Sequence, residues 1–220
     1  MKKTHIYFVP GLAANTKIFK NLTFPKEQFE LHFLEWFLPL SKDETLENYA
    51  HRMCETVTEK NSILIGVSFG GIVVQEMAKF IDVKKIIIIS SVKSIKELPK
   101  RLQFAKFSKI YKLFPTKVIE NIESYTKYFF GNTLKKRAEL YKVYLSIRNP
   151  LYLHWAIHNI LHWQQKKPLK NLVHIHGTKD RVFPIKHISN CIEIKNGTHV
   201  MILTKAKKIS KIIIEQTLTC

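Results

Sequence analysis

Apolar residues along this chain recur in two rhythms. Short strand-like runs occupy His5 to Val9, Glu30 to Trp36, Ser62 to Gly66 and Lys84 to Ser90, and are rich in β-branched and aromatic residues. Between them, Leu46, Tyr49, Ala50, Met53 and Val57 recur at helical spacing. That helix is predicted to open on Ser41-Lys42-Asp43-Glu44, which resembles a capping box, and to run to about Lys60. A second helix is predicted over Ile72 to Phe80. From about Lys93 to Gln165 the strand signals vanish and helical periodicity takes over, with many aromatics and lysines. Alternation then resumes, with strands over Leu172 to His176 and Cys191 to Lys195 and a last helix over Val200 to Leu218. Strands alternating with helices predict an α/β fold. Its sheet should be mostly parallel with helices on both faces, because crossover helices cover both sides of such a sheet. The helical block reads as an insertion. The expected division is a core over 1–92 and 166–220 and a helical cap, or lid, over 93–165.

Composition narrows the class. A chain of 220 residues, 45% hydrophobic and 24% charged, can bury one sizeable core and has no signature of disorder. Its longest apolar runs, such as Ile86 to Ile89, fall far short of the ~20 residues that a membrane helix needs. The start, Met1-Lys2-Lys3, leads into five strand-like residues and then Pro10-Gly11, so no targeting segment is read there. Cys54, Cys191 and Cys220 are scattered without metal-site spacing. That pattern suits reduced thiols and a cytoplasmic setting. The net charge of +19 raises the possibility of a nucleic-acid partner, but the lysines are spread over the whole chain and no nucleic-acid-binding motif accompanies them. No nucleic-acid partner is therefore expected.

Glycine usage shows where to look for chemistry. Only seven of the 220 residues are glycine, against roughly 7% in average proteins. Gly11, Gly66, Gly70, Gly71, Gly177 and Gly197 all lie at strand ends or beside reactive side chains, and only Gly131 falls in the insert. Gly66-Val67-Ser68-Phe69-Gly70 is a G-x-S-x-G match between an apolar strand and a helix. A serine on so sharp a turn needs small residues two before and two after. Its hydroxyl then projects above the sheet, and the next helix aims free N–H groups at developing negative charge.

With Ser68 in that context, the chain resembles the α/β-hydrolase superfamily, in particular its short, cap-bearing, esterase-like members. The resemblance covers Tyr7 to Ser91 and Leu172 to about Ala206, and it implies a fold shortened at the N-terminus by two strands. It also implies an order of parts. Pro10-Gly11-Leu12 stands where the family often has His-Gly. It supplies an oxyanion hole from the backbone N–H groups of Leu12 and Phe69. His176-Gly177-Thr178-Lys179-Asp180 matches the stretch that supplies the triad acid, Asp180. The family's other place for the acid, here Ser90-Ser91-Val92-Lys93, has no carboxylate before Glu97. Gly197-Thr198-His199 resembles the family's G-x-H and makes His199 the base. A plain alternative for Asp180 is a solvated loop aspartate between Lys179 and Arg181. A serine nucleophile argues against the haloalkane dehalogenase and epoxide hydrolase branches, which place an aspartate there.

The insert carries no family motif. His154, His158 and His162 recur every four residues beside Trp155 and Trp163. With no completing carboxylate or thiol they read as a half-buried aromatic face, and no metal is expected. Arg101 to Phe114 mixes aromatics and lysines at near-helical spacing. It reads as a cap helix with its apolar side inward, in preference to a helix lying on a membrane. Lys93 to Gln165 holds fourteen Lys or Arg and four Asp or Glu, a net of +10, which reads first as a solvated lysine-rich face and also suits an acidic acyl carrier or coenzyme A as partner. The expected activity is hydrolysis of a small carboxylic ester or thioester through an acyl-enzyme, with no cofactor. The alternatives are hydrolysis of an acyl-carrier-protein methyl ester, carbon–carbon bond hydrolysis, and a catalytically idle binding protein at acidic or membrane surfaces.

Overall fold

A strand such as Ile86 to Ile89 has no side to give to water, so both faces of its sheet must be covered. In the computed structural model, which describes residues 3–108 and 143–218, they are. Six strands, β1 (Thr4–Val9), β2 (Phe29–Phe33), β3 (Ile63–Val67), β4 (Lys85–Ile89), β5 (Leu172–Gly177) and β6 (Ile192–Ile194), form one sheet in the order β2-β1-β3-β4-β5-β6. Every pairing is parallel. The register sets Val9 beside Gly66, Val67 beside Ile89 and Ile89 beside Ile175. The loops that follow β1, β3, β4 and β5 therefore open on the same edge of the sheet.

The α-helices that lie wholly among the described residues are α1 (Leu46–Cys54), α2 (Phe69–Met77), α3 (Lys100–Ser108), α4 (Pro150–His162), α5 (Met201–Thr204) and α6 (Ala206–Leu218). The pleat divides the core in two. Tyr7, Val9, Leu64, Ile86 and Ile88 pack with Tyr49 and Met53 of α1, Val73 and Met77 of α2, and Tyr152 and Trp155 of α4. Their sequence neighbours Ile6, Phe8, Ile63, Ile65, Ile87 and Ile89 point the other way, onto Met201, Ile209 and Ile213. Helix α4 belongs to the first of these cores. The Trp155 indole donates to the Glu44 carbonyl (2.8 Å), and the Trp163 indole donates to Glu76 Oε1 (2.7 Å).

Several boundaries differ from expectation. Helix α1 is capped by Thr45, whose side chain accepts from the Asn48 N–H (3.1 Å). Ser41 to Glu44 does not cap it, because the Glu44 carboxylate is taken by the Leu40 N–H (2.7 Å) and by Arg52 (2.9 Å). The helix also ends at Cys54, well before Lys60. Strand β2 ends at Phe33, and Trp36 beyond it turns toward the Gly11 carbonyl. Helix α2 starts at Phe69, earlier than Ile72, and the last helix is broken at Lys205 into α5 and α6. On α3 the expected inward apolar side is not met at Phe104 and Phe107, which are 66% and 81% exposed. The rest of that expected helix, Lys109 to Phe114, and Gly131 lie outside the described residues. Among the described residues no helix is long and apolar enough to cross a membrane.

Candidate active site

Ser68 stands one residue beyond β3 and immediately before α2, with φ 53° and ψ −116°. A non-glycine residue in that region carries about 1–3 kcal/mol of backbone strain. Closure of the turn depends on its two flanking glycines. A Cβ on Gly66 would collide with the Gly70 carbonyl, and one on Gly70 would collide with the Pro10 carbonyl. The strained turn is held by three hydrogen bonds. The Ser68 N–H donates to Ile89 O (2.9 Å), and its carbonyl accepts from Gly71 N (2.9 Å) and from Ser91 Oγ (2.7 Å).

Asp180 and His199 lie on different loops, after β5 and β6, and a backbone clasp sets these loops against each other. The Lys179 N–H donates to the Gly197 carbonyl (2.8 Å), Thr178 N to Ile194 O (3.1 Å) and Asn196 N to Thr178 Oγ1 (2.8 Å). Gly177 and Gly197 touch so closely that a Cβ on Gly177 would overlap the Gly197 carbonyl.

The fold brings the three sequence-expected side chains together. His199 Nδ1 lies 2.9 Å from Asp180 Oδ2, and His199 Nε2 lies 2.9 Å from Ser68 Oγ. A carboxylate only accepts, so Nδ1 carries the proton and Nε2 is the acceptor facing the serine hydroxyl. Asp180 is buried, and its other oxygen accepts the N–H groups of Val182 (2.7 Å) and Phe183 (3.0 Å). Burial alone would raise this carboxyl. His199, His176 and the Phe183 N–H outweigh it and hold the group below its ordinary 3.8. The Phe183 ring meets the His199 ring edge to face at 5.6 Å. Glu97, the nearest carboxylate after β4, is engaged elsewhere, by Lys93 (3.5 Å) and the Ser189 N–H (3.1 Å).

The two expected oxyanion donors are aimed by their own peptide planes. In a trans peptide the C=O of one residue and the N–H of the next point in opposite directions. The Gly11 carbonyl is fixed by the Trp36 indole (3.0 Å) and the Ala14 N–H (3.0 Å), which sets the Leu12 N–H on the far side. The Ser68 carbonyl, fixed by Ser91 and Gly71, sets the Phe69 N–H in the same way. Neither N–H is spent on a backbone carbonyl among the described residues. The sequence reading missed Trp36 and Ser91. Both act from other segments of the chain, and no local motif marks them.

Beneath the site, His176 Nε2 donates to the Phe183 carbonyl (2.8 Å) and stands 3.6 Å from Asp180 Oδ2. Its Nδ1 then accepts from His174 Nε2 (3.1 Å). The histidine stripe of α4 lies apart from this chemistry. His158 and His162 stack on each other at 4.1 Å at the half-buried margin of that helix, while Trp155 points into the core.

No protein-family model matches this chain, and no curated protein matches it in sequence. In three dimensions it is similar to an alpha/beta hydrolase fold protein from Burkholderia ambifaria, with a TM-score of 0.69 at 11% identity, covering 97% of this chain and 91% of that one. It is also similar to a lipase-esterase related protein from Clostridium acetobutylicum ATCC 824, with a TM-score of 0.66 at 18% identity, covering 96% and 93%. A third similar structure is an epoxide hydrolase from Bacillus megaterium, with a TM-score of 0.67 at 11% identity, covering 99% and 94%.

Proposed function

Because this chain has the α/β-hydrolase fold, we propose that it is a serine hydrolase that cleaves a small carboxylic ester or thioester through an acyl-enzyme. The observation that carries this reading is the unbroken relay of 2.9 Å contacts from Asp180 through His199 to Ser68. Ser68 Oγ attacks the substrate carbonyl carbon while its proton passes to His199 Nε2. The oxyanion formed is met by the N–H groups of Leu12 and Phe69. Collapse breaks the bond to the alcohol or thiol, which leaves with the proton from His199. A water then gives its proton to His199 and attacks the acyl-serine, releasing the carboxylic acid and restoring Ser68. Asp180 remains ionised throughout and stabilises the imidazolium. A hydroxyl at the elbow, where epoxide opening would call for a carboxylate, favours acyl transfer.

The reading is tested with a fluorophosphonate probe, followed by a screen of p-nitrophenyl esters of increasing chain length alongside acyl-CoA substrates. Stoichiometric labelling that is lost in Ser68→Ala, together with turnover of at least one ester or thioester, is the expected result. A folded protein that resists labelling would be a binding protein on a hydrolase scaffold, and the proposal would fall.

A further inference from the structure

We propose that the chain binds one divalent transition-metal cation of the Zn²⁺ type at the β1–β2 edge of the sheet, through His5, His32 and Glu30. Parallel pairing sets His5 beside Glu30 and Tyr7 beside His32, so all four side chains project from one face. His5 Nδ1 and His32 Nε2 are 3.0 Å apart. One ligand atom from each of His5, Glu30 and His32 lies within 4.8 Å of the others, the one such group among the described residues. Ligands held at ~2.0–2.1 Å by a tetrahedral zinc are about 3.3 Å apart, so the imidazole pair needs only a small opening. Two imidazoles and a carboxylate are a donor set suited to zinc.

The surroundings fit that role. The Tyr7 ring stacks on His32 at 4.3 Å and orients it. Glu59 Oε2 lies 3.9 Å from His5 Nε2, which favours the proton on that nitrogen and leaves Nδ1 with the lone pair that faces His32 Nε2. A carboxylate behind a metal-binding histidine is the usual supporting arrangement. Without metal the two facing nitrogens share one proton, which the cation replaces. The two histidines are half-buried and Glu30 is exposed, which leaves a path for entry. The overall charge is +19, yet this corner holds two carboxylates.

The site lies away from the proposed chemistry. His5 and Glu30 are the second residues of their strands, whereas Ser68 follows the last residue of β3. Bound metal would staple the edge strand β2 to β1 and act on stability, leaving turnover alone.

The test is calorimetric titration of Zn²⁺ into chelator-stripped protein at pH 7.5. Wild type would be compared with His32→Ala, Glu30→Gln and the control double variant His158→Ala/His162→Ala. Wild type and the control should each bind one Zn²⁺ in the micromolar range and melt about 4 °C higher when loaded. His32→Ala should weaken binding by roughly 100-fold and Glu30→Gln by roughly 10-fold, and both should lose the thermal shift while keeping ester turnover. If His32→Ala does not fold, Glu30→Gln and His5→Gln decide the matter. Unchanged affinity in these variants, loss of binding in the control double variant instead, or no binding below millimolar Zn²⁺ would overturn the proposal.

Discussion

At the scale of single residues, the proposed chemistry is a matter of which lone pair faces which proton. Asp180 fixes the His199 tautomer, and that tautomer aims a bare nitrogen at Ser68. Residues coupled in this way act as a unit. Ser68→Ala and His199→Ala should each lower kcat by roughly 10³-fold, and the double variant should lose little more. Steady-state kinetics on the best p-nitrophenyl ester would check this, and nearly additive losses would contradict it. Trp36 makes a subtler contribution. Its indole N–H fixes the Gly11 carbonyl (3.0 Å), and its ring stacks on Phe69 at 5.3 Å. Trp36→Phe keeps an aromatic ring there but leaves the Gly11 carbonyl held by the Ala14 N–H alone, which loosens the Gly11–Leu12 peptide. We expect kcat to fall about 10-fold or more, less than for deleting a donor outright. KM should be little changed, because the donor acts on the oxyanion and not on the bound ester. A rise in KM with kcat intact would assign Trp36 to substrate packing.

At the scale of elements, β5 carries a second polar system beneath the site. His174 and His176 are both buried and both neutral, joined Nε2–H to Nδ1 and then to the Phe183 carbonyl. Burial lowers the His176 pKa from its ordinary 6.5 despite the opposing pull of Asp180. Burial, His176 and Lys93 lower that of His174 well below the same value. The unfolded chain therefore takes up a proton on each histidine as pH falls through 6.5, while the folded chain does so only at lower pH. Their contribution to stability is fully present above pH 6.5 and declines from there down to the depressed folded values. Urea unfolding between pH 7.5 and 5.5 should show stability falling with acidity by up to one proton per histidine, and His174→Gln should flatten that slope. A flat wild-type profile would mean that the pair is not buried in neutral form.

The whole molecule is strongly basic, and the charge is unevenly placed. Residues 93–165 carry a net +10 of the +19, while Ser68, Asp180 and His199 lie outside that span. We propose that this segment acts as a basic cap that attracts an acidic acyl carrier or coenzyme A thioester, mainly on encounter. If so, kcat/KM for an acyl-CoA should fall steeply as salt rises past ~0.1 M, where the Debye length is ~10 Å. A neutral short-chain ester should stay nearly flat over the same range. Equal salt dependence for both substrates would reassign the lysines to solubility and remove the carrier from the proposal.

Some of this was readable along the chain because its causes are local. The Ile86 to Ile89 run announces a strand buried on both faces. Gly66 and Gly70 announce a turn that admits no Cβ, and Ser68, Asp180 and His199 each stand in a short glycine-bearing stretch just beyond a strand. Each of those signals lies within a few residues of the feature it marks. What the tertiary structure decided involves partners far apart in the chain. Thr45 caps α1 because Arg52 and Leu40 claim the Glu44 carboxylate and Trp155 its carbonyl. Trp36 and Ser91 set the oxyanion donors because the loops after β1 and β3 open beside them. His5, Glu30 and His32 form a ligand cluster only because β2 pairs with β1 in one particular register. Alternation along a strand tells which side chains share its face. It does not tell which strand will lie alongside, because that choice is made by the burial of the whole sheet at once.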